Sequence, residues 1–202
     1  MKKLSIVVLI SGRGSNLKAI IDVANPLVNI SAVISNRPEA AGLIYADEAG
    51  ISTEVLDHKD FATRLEFDSA LQECVDKYDP QLVVLAGFMR ILSQGFVRHY
   101  KGRLINIHPS LLPKFKGLDT HKRAIEAGEK EHGLSVHFVT EELDAGEVIL
   151  QARVPILADD TEESLAARVL QQEHKIYPEA IQLFAESGFR PDRFLKPVRS
   201  DN

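Results

Sequence analysis

A chain of 202 residues, 45% hydrophobic and 26% charged, has the make-up of an ordinary globular domain, which excludes a mainly disordered protein. Its 24 basic and 29 acidic residues leave a net charge of −5, a poor match for non-specific binding to nucleic acid or to an anionic membrane. One cysteine excludes an internal disulfide, and no apolar run reaches the roughly 18 residues a membrane span requires.

Met1-Lys2-Lys3 followed by the apolar run 4–10 imitates a signal peptide. The run is too short and Arg13 follows almost at once, so it reads as the first buried strand of a cytoplasmic protein. A helix is predicted over 15–24, a strand over 28–35, a helix over 39–49, a strand over 52–56 and a helix over 61–77. Cys74, within that last helix, reads as an inert, partly buried thiol. Two further Val/Ile/Leu-rich strands follow at 82–86 and 103–107. Apolar strands alternating with helices are the mark of a parallel sheet covered on both faces. Beyond residue 130 the pattern changes: strands at 134–139 and 148–154 are joined by the short link 141–146, which suits a hairpin rather than a helical crossover. A long helix is predicted from 161 to about 187, its start supplied with capping oxygens and acids by Asp160-Thr161-Glu162-Glu163-Ser164, with Pro178 expected to kink or break it. The whole predicts an α/β fold, a Rossmann-like, mostly parallel sheet that becomes mixed in its C-terminal part. It forms a single domain over 1–188, with a polar tail over 189–202 that carries Pro191 and Pro197.

Three motifs carry chemistry. Ser11-Gly12-Arg13-Gly14-Ser15-Asn16 stands where the first strand turns into a helix, where glycines admit an anion to the free N–H groups of the first turn. The plain alternative is a tight turn capped by Ser15 or Asn16. Leu17 and Asn36 stand where a dinucleotide site wants a small residue and an acid, so a phosphate monoester on a smaller molecule fits better. The second motif is Asn106-Ile107-His108-Pro109-Ser110-Leu111-Leu112-Pro113, at the carboxyl end of the fifth strand. Asn106 and His108, two apart on an extended backbone, share a side and offer an amide donor and an imidazole. The third is Asp144-Ala145-Gly146, preceded by Glu141 and Glu142; it is either a solvated acidic loop or, if it meets His108, the carboxylate that orients the imidazole and favours its charged form. His132 and His137, with His121, match no zinc spacing, and His137, within a strand, reads either as a residue that supports the site through hydrogen bonds or as a structural one.

With these residues in view, the chain resembles the folate-dependent formyltransferase family, in its phosphoribosylglycinamide branch. The likeness runs through residues 11–16, Val84-Leu85-Ala86-Gly87-Phe88-Met89-Arg90-Ile91-Leu92, Asn106 to Pro113, and Gln172-Glu173-His174, over most of the chain. The resemblance implies formyl transfer from 10-formyltetrahydrofolate to the primary amine of glycinamide ribonucleotide, with no metal. It implies Asn106, His108 and Asp144 as catalytic residues, and Gly14, Ser15, Asn16, Leu170, Gln171, Gln172 and Glu173 as ribonucleotide contacts. For the folate it implies Arg64, Met89, Arg90, Ile91, Leu92, Asn106, Thr140, Glu141, Glu142, Leu143 and Asp144. Ordinary roles compete: Arg64 as a solvent-facing charge, Met89 and Leu92 as core, Glu173 paired with Lys175. Lys116 stands where the family pattern suggests proline, and Asp119 where some relatives show histidine. Methionyl-tRNA formyltransferases and formyltetrahydrofolate hydrolases are the nearest rivals, and the length is expected to exclude their additional domains. A binding module without catalysis has no call for an imidazole flanked by a carboxylate. The expected partners are small molecules rather than nucleic acid or membrane, with the chain acting as monomer or homodimer.

Overall fold

The computed structural model describes residues 3–188; the predicted tail over 189–202 lies outside the described residues. In chain order the elements are β1 Leu4–Ile10, α1 Ser15–Asp22, β2 Val28–Ser35, α2 Gly42–Glu48, β3 Thr53–Val55, α3 Arg64–Asp76, β4 Leu82–Leu85, α4 Gln94–His99, β5 Leu104–His108, α5 Thr120–Glu126, β6 Glu131–Phe138, β7 Val148–Pro155 and α6 Glu162–Glu186. They form one seven-stranded sheet in the order β3-β2-β1-β4-β5-β6-β7. β1 to β5 are parallel, and β6 and β7 pair antiparallel beyond β5.

Side chains on a strand alternate between faces, and β1 puts apolar residues on both. Leu4, Ile6, Val8 and Ile10 enter a core shared with α1 and α6, while Val7 and Leu9 enter a second core with Phe67 and Leu71 of α3, Phe96 of α4 and Tyr100 just after it. A strand buried on both sides explains why its sequence is a continuous apolar run.

Thr161 caps α6 by a reciprocal pair with Ser164, as the Asp160 to Ser164 run predicts. The break expected at Pro178 does not occur. α6 continues through it, because Pro178 and the neighbouring Tyr177, Ala180 and Ile181 are buried against the sheet and the packing of a 25-residue helix outweighs one lost backbone bond. Tyr177 donates its hydroxyl to the carbonyl of Leu85 at 2.8 Å, seating α6 under the end of β4.

The sheet order reverses between β1 and β4, so the loops after these two strands flank a crevice at the carboxyl edge. β5, the next strand, ends one residue later than predicted and includes His108. Among the described residues, no helix is long and apolar enough to cross a membrane.

Candidate active site

The loop after β1 opens on Ser11 and enters α1 through Gly14, which has φ 72° and makes no side-chain cap. The capping alternative for Ser15 and Asn16 is therefore not what the backbone adopts. Gly42, at the start of α2, donates to the carbonyl of Gly12 at 3.0 Å. A Cβ on Gly14 would stand 2.4 Å from the Cα of Gly42, so two glycines are needed for this loop to lie flat on α2. Asn16 is turned inward: its Nδ2 donates to Glu173 Oε2 at 2.7 Å, joining the loop to α6. Glu173 is thus paired with Asn16 rather than Lys175. Burial pushes its carboxyl above the usual range, opposed by the Asn16 bond. Asn16 Oδ1 is buried without a partner among the described residues. Leu170 and Gln172 are half-buried on the same helix, and Gln171 is exposed.

The segment after β4 has the opposite character. Met89 is 70% exposed and Ile91 66%, a poor use of apolar side chains unless something covers them. Met89 is thus not core, whereas Leu92 packs on the α3–α4 side. The Arg90 guanidinium lies over the Phe67 ring at 4.8 Å, and its Nε is buried with no partner among the described residues. Arg64, exposed at the start of α3, is one turn before Phe67 on the same helix face.

His108 and Asp144 come together: His108 Nδ1 lies 3.5 Å from Asp144 Oδ2, both side chains buried. Asn106 is two residues back on β5, its amide 3.4 Å from Nε2 of His137. Asp144 has φ 48°, a left-handed conformation that non-glycine residues reach at a cost and that aspartate tolerates better than most. The loop then turns on Gly146, where a Cβ would sit 1.7 Å from the carbonyl oxygen of Phe138. The glycine of Asp-x-Gly is thus required by a backbone contact with the end of β6.

His137 takes, in the structure, the supporting one of the two roles open to it. It faces Asn106 across the β5–β6 pair, and its Nε2 lies 3.4 Å from Asn106 Nδ2 and 3.7 Å from Asp144 Oδ1. Nδ1 lies 2.9 Å from the carbonyl of Phe138, so it carries the proton and leaves Nε2 to accept from the Asn106 amide. Burial pushes this imidazole down, favouring the neutral ring. The signal available in sequence was the alternation of β6 opposite Asn106, once antiparallel pairing is assumed.

The loop 114–119 covers the site. The carbonyl of Phe115 accepts from His108 Nε2 at 2.9 Å, and Gly117 N donates to Asp144 Oδ2 at 2.9 Å. Lys116 reaches Glu142 at 3.0 Å, so lysine in the place of the expected proline fastens this loop to the 140–146 loop. Glu141 is paired with Arg98 of α4, with bonds of 2.8 and 2.6 Å. Thr140 donates to the carbonyl of Glu142 at 3.1 Å, and Leu143 is exposed. Asp119, with φ 56°, starts α5.

Behind this loop His132 Nε2 lies 3.2 Å from His121 Nδ1. Burial, with His121 beside it, pushes the His132 imidazole down to about 4, whereas an unfolded-chain histidine titrates near 6.5. Neutral His132 is therefore the folded form: its share of stability is complete above about pH 6.5 and falls by on the order of 3 kcal/mol as the pH drops towards 4. The variant His132→Gln is expected to flatten that acid-side loss, read as urea midpoints at about pH 6.5 and about pH 4.5. An unchanged slope would refute the assignment.

Comparison with known proteins gives one consistent result. The family model described as formyl transferase matches residues 4–181. The chain is 56% identical over 190 residues to the phosphoribosylglycinamide formyltransferase of Escherichia coli, covering 93% of this chain and 90% of that one. It is 49% identical over 192 residues to the trifunctional purine biosynthetic protein adenosine-3 of Bos taurus, covering 94% of this chain but spanning only 19% of that longer protein. Among solved structures, the phosphoribosylglycinamide formyltransferase of Coxiella burnetii, in complex with CHES, superposes with a TM-score of 0.88 at 55% identity, over 92% of this chain and 89% of that one.

Proposed function

The chain belongs to the formyl transferase family, and from that membership we propose that it moves the formyl group of 10-formyltetrahydrofolate onto the primary amine of glycinamide ribonucleotide, a step of purine synthesis. The observation that carries this reading is the meeting of Asn106, His108 and Asp144 beside the crevice, with the His108–Asp144 pair at 3.5 Å. The folded unit is a single domain over 1–188, and its substrates are small molecules.

The phosphate of the ribonucleotide suits the Gly14–Ser15–Asn16 turn, whose N–H groups head α1 without a side-chain cap. Glu173, with Asn16 on one oxygen, accepts from ribose hydroxyls. The folate suits the exposed apolar edge of Met89 and Ile91, with Arg90 and Arg64 for its carboxylates. When bound, the folate supplies the activated formyl group.

Attack by the amine places negative charge on the formyl oxygen, which Asn106 and His108 meet as hydrogen-bond donors. In the structure Nε2 of His108 donates to the carbonyl of Phe115, and Nδ1 faces Asp144 Oδ2 at 3.5 Å. Asp144 holds Nδ1 and the ring plane. Nε2 exchanges the Phe115 carbonyl for substrate; as the bond from the formyl carbon to the folate nitrogen breaks, it gives its proton to that nitrogen, and the proton lost by the attacking amine returns to the His108–Asp144 pair. His137 holds the Asn106 amide in place.

The test is a spectrophotometric assay with 10-formyltetrahydrofolate, run with and without glycinamide ribonucleotide. Turnover is expected only with both. Equal turnover without the ribonucleotide marks a hydrolase and overturns the reading, as does inactivity with both.

A further inference from the structure

Ser11 opens the glycine-rich motif, yet nothing in the reaction described above uses its side chain. It is buried, and its hydroxyl joins three strand ends. Oγ donates to Asn36 Oδ1 after β2 and accepts from the backbone N–H of Met89, after β4, at 2.8 Å. A hydroxyl has one proton, and spending it on Asn36 fixes the lone pair that Met89 N–H uses. Asn36 is itself immobilised: its carbonyl lies 2.9 Å from His58 Nδ1, and its amide nitrogen 3.3 Å from the same ring atom. At the far end of the segment, Ser93 N donates to the buried carboxylate of Asp68.

The main chain leaving Ser11 becomes the turn assigned to phosphate, and the main chain leaving Met89 becomes the edge assigned to folate. We propose that Ser11 is a positioning residue, whose hydroxyl sets the folate-binding segment against the phosphate-binding turn and so fixes the approach of amine to formyl carbon. This inference rests on the two subsites assigned above. β1 and β4 pair as far as Leu9 and Leu85, and Ala86 N donates to the Leu9 carbonyl at 2.9 Å; the Ser11 hydroxyl carries the connection past the end of that ladder, into the two loops. A misplacement of about 1 Å between reacting groups is enough to cost on the order of 100-fold in rate.

The experiment compares Ser11→Ala, Asn36→Ala and the double variant with the parent chain. It measures steady-state constants for both substrates, and calorimetric affinities for tetrahydrofolate and for glycinamide ribonucleotide separately. In Ser11→Ala the N–H of Met89 loses its buried acceptor, and a loss of about tenfold in tetrahydrofolate affinity is expected, with a fall in kcat. Ribonucleotide affinity is expected to stay within about twofold, a split that general loosening of the fold does not produce. Asn36→Ala is expected to show the same split, and the double variant to be no worse than Ser11→Ala, because both remove one chain of bonds. Should Ser11→Ala fail to fold, Asn36→Ala carries the comparison. Unchanged tetrahydrofolate binding, equal losses for both ligands, or fully additive defects overturn the proposal. A parent chain that binds neither ligand overturns the functional reading, and this inference with it; a parent that binds both beside an unaltered Ser11→Ala overturns the inference alone.

Discussion

His108→Ala is expected to lower kcat by about three orders of magnitude or more while the protein still folds and binds the ribonucleotide. Two losses combine: a hydrogen-bond donor to the formyl oxygen, of the kind whose removal costs on the order of 100- to 1000-fold, and the proton source for the leaving nitrogen. The fold tolerates the change because His108 is the last residue of β5, and the paired strand continues on its N-terminal side through Ile107, Asn106 and Ile105. The ribonucleotide contacts proposed above lie in the loop after β1 and on α6, so calorimetric affinity for that substrate is expected to hold. A variant that keeps more than about a tenth of the parent kcat removes His108 from the mechanism.

Gly146→Ala carries the second large effect, although its side chain touches no substrate. The added Cβ meets the Phe138 carbonyl oxygen at 1.7 Å and its carbon at 2.7 Å, and neither is a flexible side-chain tip that can swing aside. The 140–146 loop must shift, and Asp144 stands two residues away in a left-handed conformation that needs the surrounding contacts to hold it. The bonds at risk are Gly117 N to Asp144 and the His108–Asp144 pair. A fall in kcat of about 100-fold and a drop of several degrees in Tm are expected. Wild-type kcat at unchanged Tm would show that the loop accommodates a methyl group, and that the glycine is not what places Asp144.

The sequence-based reading succeeds where local pattern and tertiary burial agree. β1, β2 and the antiparallel end of the sheet follow from apolar runs and a short link. The helices α4 and α5 were missed, because six or seven residues give periodicity too little length to register. At the site, Asn106 and His108 were legible from strand alternation, and Asp144 only through a resemblance, since nothing local brings residue 144 to residue 108. The two readings of His137 could not be separated because the choice depends on which residue faces it across β5 and β6. The ion pair of Glu141 was not legible, because its Arg98 partner belongs to one of the unpredicted helices. The reason for Gly146 is a backbone approach that composition does not encode.

The Phe115 carbonyl on Nε2 of His108 and the Gly117 N–H on Asp144 have a common consequence. Both are main-chain groups, so the span between β5 and α5 grips two side chains that sit 36 positions apart, whatever residue types it carries. Replacing a side chain there leaves the grip intact, whereas changing the number of residues does not.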